Sequence, residues 1–157
     1  MTNSTTEYTV PDDFTSTEIP HKEAIETVID SLQQNDSAMV HHDGQGYLWK
    51  FQYGSVETYV QLTGENEEDL LTVWSPVLTL PAKDELGLMR KVLEMNGEET
   101  LETRFGIINN QIVVLSQRTV ADLSPGEISR AITLVATIAD DNDEKLIETY
   151  GGTAVTN

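Results

Sequence analysis

The stretch YLWKFQYGSVETYVQL, residues 47–62, decides the fold, because apolar and polar side chains alternate along both of its halves. Successive side chains of a β-strand point to opposite faces of the sheet. The first half therefore predicts a strand with four aromatic rings on one face: Tyr47, Trp49, Phe51 and Tyr53. Gly54 and Ser55 predict a turn. The return strand repeats the alternation with Val56, Thr58, Val60 and Leu62.

A third strand is predicted over residues 70–80, after an acidic loop. Ser75 and Pro76 interrupt its ladder, because proline has no amide hydrogen to donate. We therefore expect this strand to be bent, bulged or at an edge there. Beside the break, a second row of large apolar side chains consists of Trp74, Val77 and Leu78.

Two more strands flank a two-residue loop at Asn109 and Asn110. Asparagine tolerates the left-handed conformation that a type I′ hairpin turn requires, so residues 104–108 and 111–117 are predicted to form a hairpin. In this register two apolar pairs lie on one side of the sheet. The pairs are Phe105 with Val114 and Ile107 with Ile112.

Two segments before the hairpin have the spacing of amphipathic helices. The first, residues 19–34, has apolar residues three and four positions apart. The second follows Pro81 and Asp84 and is predicted to end at Asn96 and Gly97, which tolerate positive φ. Its predicted buried face consists of Leu86, Met89, Val92 and Leu93.

The last helix has the strongest start signal in the chain. Ser124 is the predicted N-cap, Pro125 takes the first helical position, and Glu127 completes a capping box. A stripe of helical period follows, with Asn142 in its one polar position: Ile128, Ile132, Val135, Ala139, Leu146 and Tyr150. Because the stripe keeps its phase, the acidic run ADDNDEKL, residues 139–146, is predicted to be helical.

These segments follow the order α-β-β-β-α-β-β-α and short loops join neighbouring strands, so the predicted fold class is α+β with a five-stranded antiparallel sheet. Residues 1–16 are predicted to be a flexible N-terminal tail, because their composition buries too little apolar surface to offset ordering entropy. A single domain is predicted over residues 17–152, and a C-terminal tail over residues 153–157.

The charge of the chain limits its partners. It has 27 acidic and 9 basic residues, a formal net charge of -18, and only Arg90 and Lys91 are adjacent basic residues. No basic stripe can neutralise phosphates, so neither nucleic acid nor an anionic membrane is an expected partner. The field favours a basic protein partner. With no apolar run of about 18–20 residues and no secretion signal, the protein is expected in the cytoplasm.

Motifs for catalysis are missing from the sequence. His41 and His42 are predicted to lie in an exposed loop, and even on a strand adjacent side chains point to opposite faces, so both imidazoles rarely reach one metal ion. Ser55 lacks the flanking glycines of a nucleophile elbow. Gly44 and Gly46 do not belong to a phosphate-binding pattern. We therefore predict a protein that is not an enzyme, with no catalytic, cofactor-binding or metal-binding residues and no cofactor.

Carboxylate density leaves a calcium-responsive binding protein as the alternative function. An EF-hand loop that began at Asp140 would need glycine at position 145 and glutamate at position 151, where the chain has Lys145 and Gly151. Calcium would instead be bound by clusters without this motif. The two candidate clusters are Glu65, Glu67, Glu68 and Asp69, and Asp140, Asp141, Asp143 and Glu144.

Several short motifs resemble the YbjN-type family, whose fold is similar to that of type III secretion chaperones. The motifs are YLWKF at 47–51, WSPV at 74–77, LP at 80–81, RFGI at 104–107, DLS at 122–124, AD at 139–140 and YGG at 150–152. The resemblance covers about residues 18–152. It implies a small bacterial protein without enzymatic activity that is often dimeric and that binds other proteins or acts in regulation. We therefore expect a homodimer.

The predicted function is that of a non-enzymatic protein-binding module, chaperone-like or regulatory, which holds a segment of a partner protein on a sheet face or in a helix groove. Aromatic residues dominate interface energies. Most of the rings are expected to form the core beneath the helices, and Trp74, beside the break at Pro76, is the expected exposed anchor. The candidate partner-binding residues are Trp49, Phe51, Trp74, Val77 and Leu78.

Overall fold

The computed structural model describes residues 20–156, so the predicted tail at residues 1–16 lies outside the described residues. The described chain forms three helices and six strands. The helices are α1 His21–Leu32, α2 Glu85–Glu98 and α3 Pro125–Tyr150. The strands are β1 Met39–Asp43, β2 Gly46–Tyr53, β3 Val56–Leu62, β4 Leu70–Thr79, β5 Arg104–Ile108 and β6 Gln111–Thr119.

The six strands form one antiparallel sheet in the order β1-β2-β3-β4-β6-β5. The α+β class is therefore confirmed, but the predicted number of five strands and the order α-β-β-β-α-β-β-α are wrong. The additional strand is β1, which precedes the aromatic strand and occupies one edge of the sheet. Of the helices in the described part of the chain, none has the combination of length and apolarity that crossing a bilayer requires.

Strand β1 lacks the alternation of buried apolar and exposed polar residues by which strands are predicted from sequence. All five of its residues are exposed. Backbone pairing to β2 holds it in place, with Val40 opposite Trp49 and Asp43 opposite Gly46. Gly44, with φ of 58°, lies in the turn between the two strands. Because backbone hydrogen bonds do not depend on side-chain polarity, an exposed edge strand leaves little trace in apolar periodicity.

The face of β2 and β3 that the alternation predicts to be apolar is the covered face of the sheet. Helices α1 and α3 pack against it and enclose the main core. Phe51 and Val60 are completely buried there, and Trp49 is 3% exposed. Full burial of side chains of this size contributes ~1.5–3 kcal/mol each. The aromatic row of β2 is thus chiefly a core feature.

The predicted hairpin and the predicted break in the third strand are both confirmed. Asn109 and Asn110 have φ of 50° and 61°, and Phe105 pairs with Val114 as the apolar pattern indicates. In β4 the register against β6 shifts between Pro76 and Leu78. Past this shift, the backbone of β4 bonds the C-terminal segment, since the amide of Thr79 donates to the carbonyl oxygen of Thr153 at 2.8 Å.

Helix α3 begins with the predicted capping box. The Ser124 side chain accepts a hydrogen bond from the Glu127 amide at 3.1 Å, and the Glu127 carboxylate accepts one from the Ser124 amide at 3.2 Å. The helix continues without a break to Tyr150, so the run at residues 139–146 is helical, as predicted. The polar residue in its buried stripe is Asp143 and not Asn142. Asn142 is half-buried and bonds the carbonyl oxygen of Ile138.

Helix α2 differs from its prediction in its buried face and in its end. Its buried residues are Leu88, Val92 and Met95, whereas Leu86 and Leu93 are exposed. Both sets of apolar residues have helical spacing, and contacts with α3 and β5 select the first one. The helix also passes through the predicted end and continues to Glu98.

Candidate protein-binding surfaces

The face of the sheet opposite α1 and α3, which we call the open face, carries a row of side chains that crosses five strands. Each residue of the row is the direct cross-strand partner of the next. In order from β2 to β5 the row consists of Lys50, Tyr59, Trp74, Leu115 and Arg104. The first four are half-buried and Arg104 is exposed. This row places the two aromatic rings of β3 and β4 in the middle of the sheet.

The two rings of the open face are held in a fixed geometry. The Tyr59 and Trp74 rings stack with centroids 5.2 Å apart and planes 9° from parallel. The Tyr59 hydroxyl donates to the Glu57 carboxylate at 3.1 Å, and Lys50 Nζ lies 3.3 Å from the same side chain. Burial, followed by the negative charge of Glu57, raises the pKa of the Tyr59 phenol above its ordinary value. A rigid aromatic pair loses little conformational entropy on binding.

The structure does not bring the five predicted partner-binding residues to one surface. Four of them are 3% exposed or less and belong to the core: Trp49, Phe51, Val77 and Leu78. Trp74 instead lies half-buried on the open face. Its neighbour in the stack, Tyr59, is absent from the predicted set, because only the cross-strand register reveals that the two rings meet. The role of Trp74 in partner binding stays a prediction.

A second surface lies where α2 crosses β5, and we call it the α2–β5 surface. It consists of Leu86, Met89 and Leu93 from α2 together with Ile107 from β5. Leu86 is 84% exposed, Leu93 68% and Ile107 55%, and Met89 is half-buried. A mostly apolar groove of about 240 Å³ runs between the helix and the strand along Met89, Leu93 and Ile107.

One side chain, Asn96, joins the two walls of the groove of the α2–β5 surface. Asn96 of α2 accepts a hydrogen bond from the Phe105 amide at 2.7 Å and donates one to the Phe105 carbonyl oxygen at 3.2 Å. A single helix face was assigned to α2 from the sequence, which is why this surface was missed. The signal was present, since α2 has more apolar residues than one buried face needs.

Three carboxylates of the two candidate calcium clusters, those of Asp69, Asp140 and Asp143, accept hydrogen bonds from nearby loop or turn residues. Asp69 accepts from the Thr63 hydroxyl and the Asn66 amide, both at 2.9 Å. Asp140 and Asp143 accept from Ser55. Within residues 20–156 no group of three or more histidine, aspartate or glutamate side chains is arranged to hold a metal ion.

The histidines have separate positions. His21, at the start of α1, places Nδ1 2.7 Å from the Glu65 carboxylate and Nε2 3.0 Å from the Leu123 carbonyl oxygen. It therefore connects the start of α1 to two loops. His42 stacks on Tyr47 with centroids 4.4 Å apart, while His41 pairs with Leu48 and points to the opposite face.

Three helices and one six-stranded antiparallel sheet define a small α+β domain. The family model YbjN, described as "Putative bacterial sensory transduction regulator", matches residues 21–148. The chain therefore belongs to the YbjN family. No curated protein matches the chain.

Proposed function

We propose that this protein is a non-enzymatic protein-binding module, regulatory or chaperone-like, which forms a homodimer through its α2–β5 surface and holds a segment of a partner protein on its open face. The observation that carries the proposal is the α2–β5 surface, where Leu86 and Leu93 expose most of their side chains. The family description as a regulator supports the same class of function.

The α2–β5 surface suits a second copy of the chain. Leu86 and Leu93 are seven residues apart, so they project from the same side of α2 about two turns from each other. If two copies of α2 pack antiparallel about a two-fold axis, Leu86 of each copy meets Leu93 of the other. Such self-complementarity is what a two-fold interface requires.

The charge around this surface supports self-association in spite of the net charge of the chain. Arg90 and Glu94 border the apolar residues and form a salt bridge with N···O of 3.0 Å. The border therefore has both signs of charge. Strand β5 lies beside it at the edge of the sheet, paired only with β6 among the described strands. An unpaired edge and an exposed apolar surface together favour association.

The open face is the proposed site for the partner segment. The Tyr59 and Trp74 stack offers a flat aromatic surface, and Lys50 and Arg104 lie in the same cross-strand row. Aromatic residues contribute large contact areas at interfaces. The net charge of -18 attracts a basic partner over a distance. The stack then provides short-range contacts.

The homodimer is tested by measuring molar mass in solution with light scattering. The wild-type chain should have twice the mass of one chain, and Leu93→Glu should have the mass of one, because a buried unpaired carboxylate at the interface is costly. Met39→Glu is the matched control, since Met39 is 62% exposed but lies on β1 at the opposite edge of the sheet. A monomeric wild-type chain, or a dimeric Leu93→Glu, contradicts this interface.

Partner binding is tested by isolating the tagged chain from cells under gentle conditions and identifying its partner. The interaction with the purified partner is then measured for Trp74→Ala and for Thr72→Ala. Thr72 lies two residues from Trp74 on the same face of β4, so it serves as the control. Trp74→Ala should weaken binding about tenfold or more, and Thr72→Ala should change it little. Equal affinities for both variants contradict a site at the aromatic stack.

A further inference from the structure

Charged side chains are distributed unevenly over the open face. Strands β4, β5 and β6 contain no aspartate or glutamate, although the chain has 27 acidic residues. They contain two arginines. Arg118 shares the covered face with its buried pair partner Leu71, whereas Arg104 lies on the open face. Over these three strands the open face is therefore apolar or uncharged apart from one cation.

Arg104 is exposed and, among the described residues, takes part in no salt bridge. The other arginines of the chain each form one with a glutamate. These pairs are Arg90 with Glu94, Arg118 with Glu127 and Arg130 with Glu102. A guanidinium binds a carboxylate through two parallel N–H···O bonds. Arg104 is thus available for a carboxylate that does not belong to the described part of the chain.

The positive charge at the other end of the open-face row is already used. Lys50 Nζ lies 3.3 Å from the Glu57 carboxylate, which also accepts a hydrogen bond from the Tyr59 hydroxyl. The charges of Lys50 and Glu57 cancel on this side of the aromatic stack. The uncompensated charge of the row is therefore that of Arg104, on β5.

Apolar side chains lie directly beside Arg104. Leu115 is its cross-strand partner on β6, Trp74 is the partner of Leu115 on β4, and both are half-buried. With neighbouring strands ~4.8 Å apart, Trp74 and Arg104 are separated by about 10 Å across the sheet. An extended chain rises ~3.3 Å per residue, so it covers this distance in about three residues. One short segment can therefore contact the guanidinium and the indole together.

Long-range and local electrostatics act on different parts of a partner protein. The net charge of -18 acts on the partner as a whole. At physiological ionic strength charges are screened over ~8 Å, so the residues in direct contact respond mainly to Arg104 and its surroundings. A carboxylate placed there meets a cation and no acidic residue of β4, β5 or β6. An ammonium group would meet a like charge.

We infer that the segment held on the open face is acidic. It places a carboxylate on Arg104 and, about three residues away along an extended chain, a large apolar side chain on Leu115 and Trp74. The inference rests on the proposed function and specifies the chemistry of the segment, which that proposal leaves open.

The experiment is a titration of the full chain with three peptides at equal ionic strength. Each has acetylated and amidated ends and the sequence glycine-leucine-phenylalanine-serine-X-X-glycine, in which X is glutamate, glutamine or lysine. Binding is followed through the NMR signals of the Trp74 indole N–H and the Arg104 guanidinium N–H. We expect the glutamate peptide to shift both signals saturably and to bind about threefold more tightly than the glutamine peptide. The lysine peptide should leave both signals in place.

Two outcomes of this titration overturn the inference. If the glutamine or lysine peptide shifts the Trp74 signal and binds at least as tightly as the glutamate peptide, the open face binds a segment that is not acidic, and the proposed function stands. If none of the three peptides shifts the Trp74 signal, the acidic segment is excluded, while the proposed function is decided separately by the captured partner and Trp74→Ala.

A first pair of variants locates the carboxylate. Arg104→Gln removes the charge at an exposed position and should weaken binding of the glutamate peptide to the level of the glutamine peptide. Arg130→Gln is the matched control, because it makes the same change on α3, which packs against the covered face. Unchanged affinity in Arg104→Gln, or an equal loss in Arg130→Gln, overturns the inference.

A second pair tests the charge of the surface without altering Arg104. Gln117→Glu adds a carboxylate at an exposed position of β6, two residues from Leu115 on the same face, and should weaken binding of the glutamate peptide but not of the glutamine peptide. Gln45→Glu makes the same change in the exposed turn between β1 and β2, at the opposite edge of the sheet. It should leave the affinity for both peptides unchanged. Equal effects of Gln117→Glu on the two peptides overturn the inference.

Discussion

Helices α3 and α2 both carry more than one turn of apolar residues, yet they contribute to the molecule in different ways. In α3, the large apolar residues between Pro125 and Asp143 that form the buried stripe all contact the core. Ile128, Ile132 and Val135 are completely buried. Helix α2 buries one apolar face and exposes the other, with Leu86 and Leu93 in solvent. A single stripe on a helix is accounted for by the fold, whereas a second stripe remains available for contact with another molecule.

The largest expected difference between the two helices comes from truncating one apolar side chain in each. Ile132→Ala in α3 should lower the free energy of unfolding by ~2–5 kcal/mol, because it leaves a cavity at a completely buried position. Leu93→Ala in α2 should change the stability of the monomer by less than ~0.5 kcal/mol, as expected of an exposed residue. Urea unfolding at low protein concentration measures both. A large loss in Leu93→Ala would show that this residue belongs to the monomer core.

A second prediction concerns two glycines, one in contact with α3 and one inside α2. Gly54 has φ of 54°, and a Cβ there would overlap the Asp140 carboxylate, so Gly54→Ala should destabilise the protein by ~1–3 kcal/mol. Gly97 lies inside α2 with open space around it, so Gly97→Ala should stabilise by up to ~1 kcal/mol. Thermal unfolding of both variants checks the opposite signs. If both variants changed the stability in the same direction, the close approach of α3 to the turn at Gly54 would be contradicted.

The capping box of α3 provides a smaller test. Ser124→Ala removes the acceptor for the Glu127 amide and should lower stability by ~1 kcal/mol. Ser124→Asp keeps an acceptor at the N-cap and should retain most of the stability. Chemical unfolding of the two variants makes the comparison. Equal losses would show that the hydrogen bond at this end of α3 contributes little.

The smallest effect is electrostatic. The Ser124 side chain, then its backbone amide, and then Arg118 lower the pKa of the Glu127 carboxyl below its ordinary value of 4.5. Because the folded-state pKa is depressed, the stabilising contribution is present above pH 4.5 and is lost as the pH falls through the folded-state pKa. An NMR titration should show the pKa of Glu127 rising in Ser124→Ala.

The control for this titration uses a different ion pair. Hydrogen bonding to Arg130 lowers the pKa of the Glu102 carboxyl, so Arg130→Gln should raise the pKa of Glu102 and leave that of Glu127 in place. If either variant shifted the pKa of both carboxyls, the overall charge of the protein, and not the local hydrogen bonds, would account for the lowered pKa values.

Much of the fold could be predicted wherever one periodicity was enough to define an element. The alternation in β2 and β3, the asparagine turn before Gln111 and the capping signal at Ser124 each specify local geometry. The exposed strand β1 was missed, because it lacks an apolar face. Of the candidate surfaces, only Trp74 was anticipated, since its neighbours on the open face come from other strands.

The sequence alone determined the strand alternation, the hairpin register and the helical phase of α3, because these depend on residues that are close together in the chain. Tertiary structure decided which apolar face of α2 is buried and that Asp143 lies beside a cavity. The first choice depends on where α2 meets α3 and β5, and the second on where α3 meets the start of β3, and these segments are far apart in the chain. Spacing within one segment has no information about the distance to another, so packing decides which side chains remain available for binding.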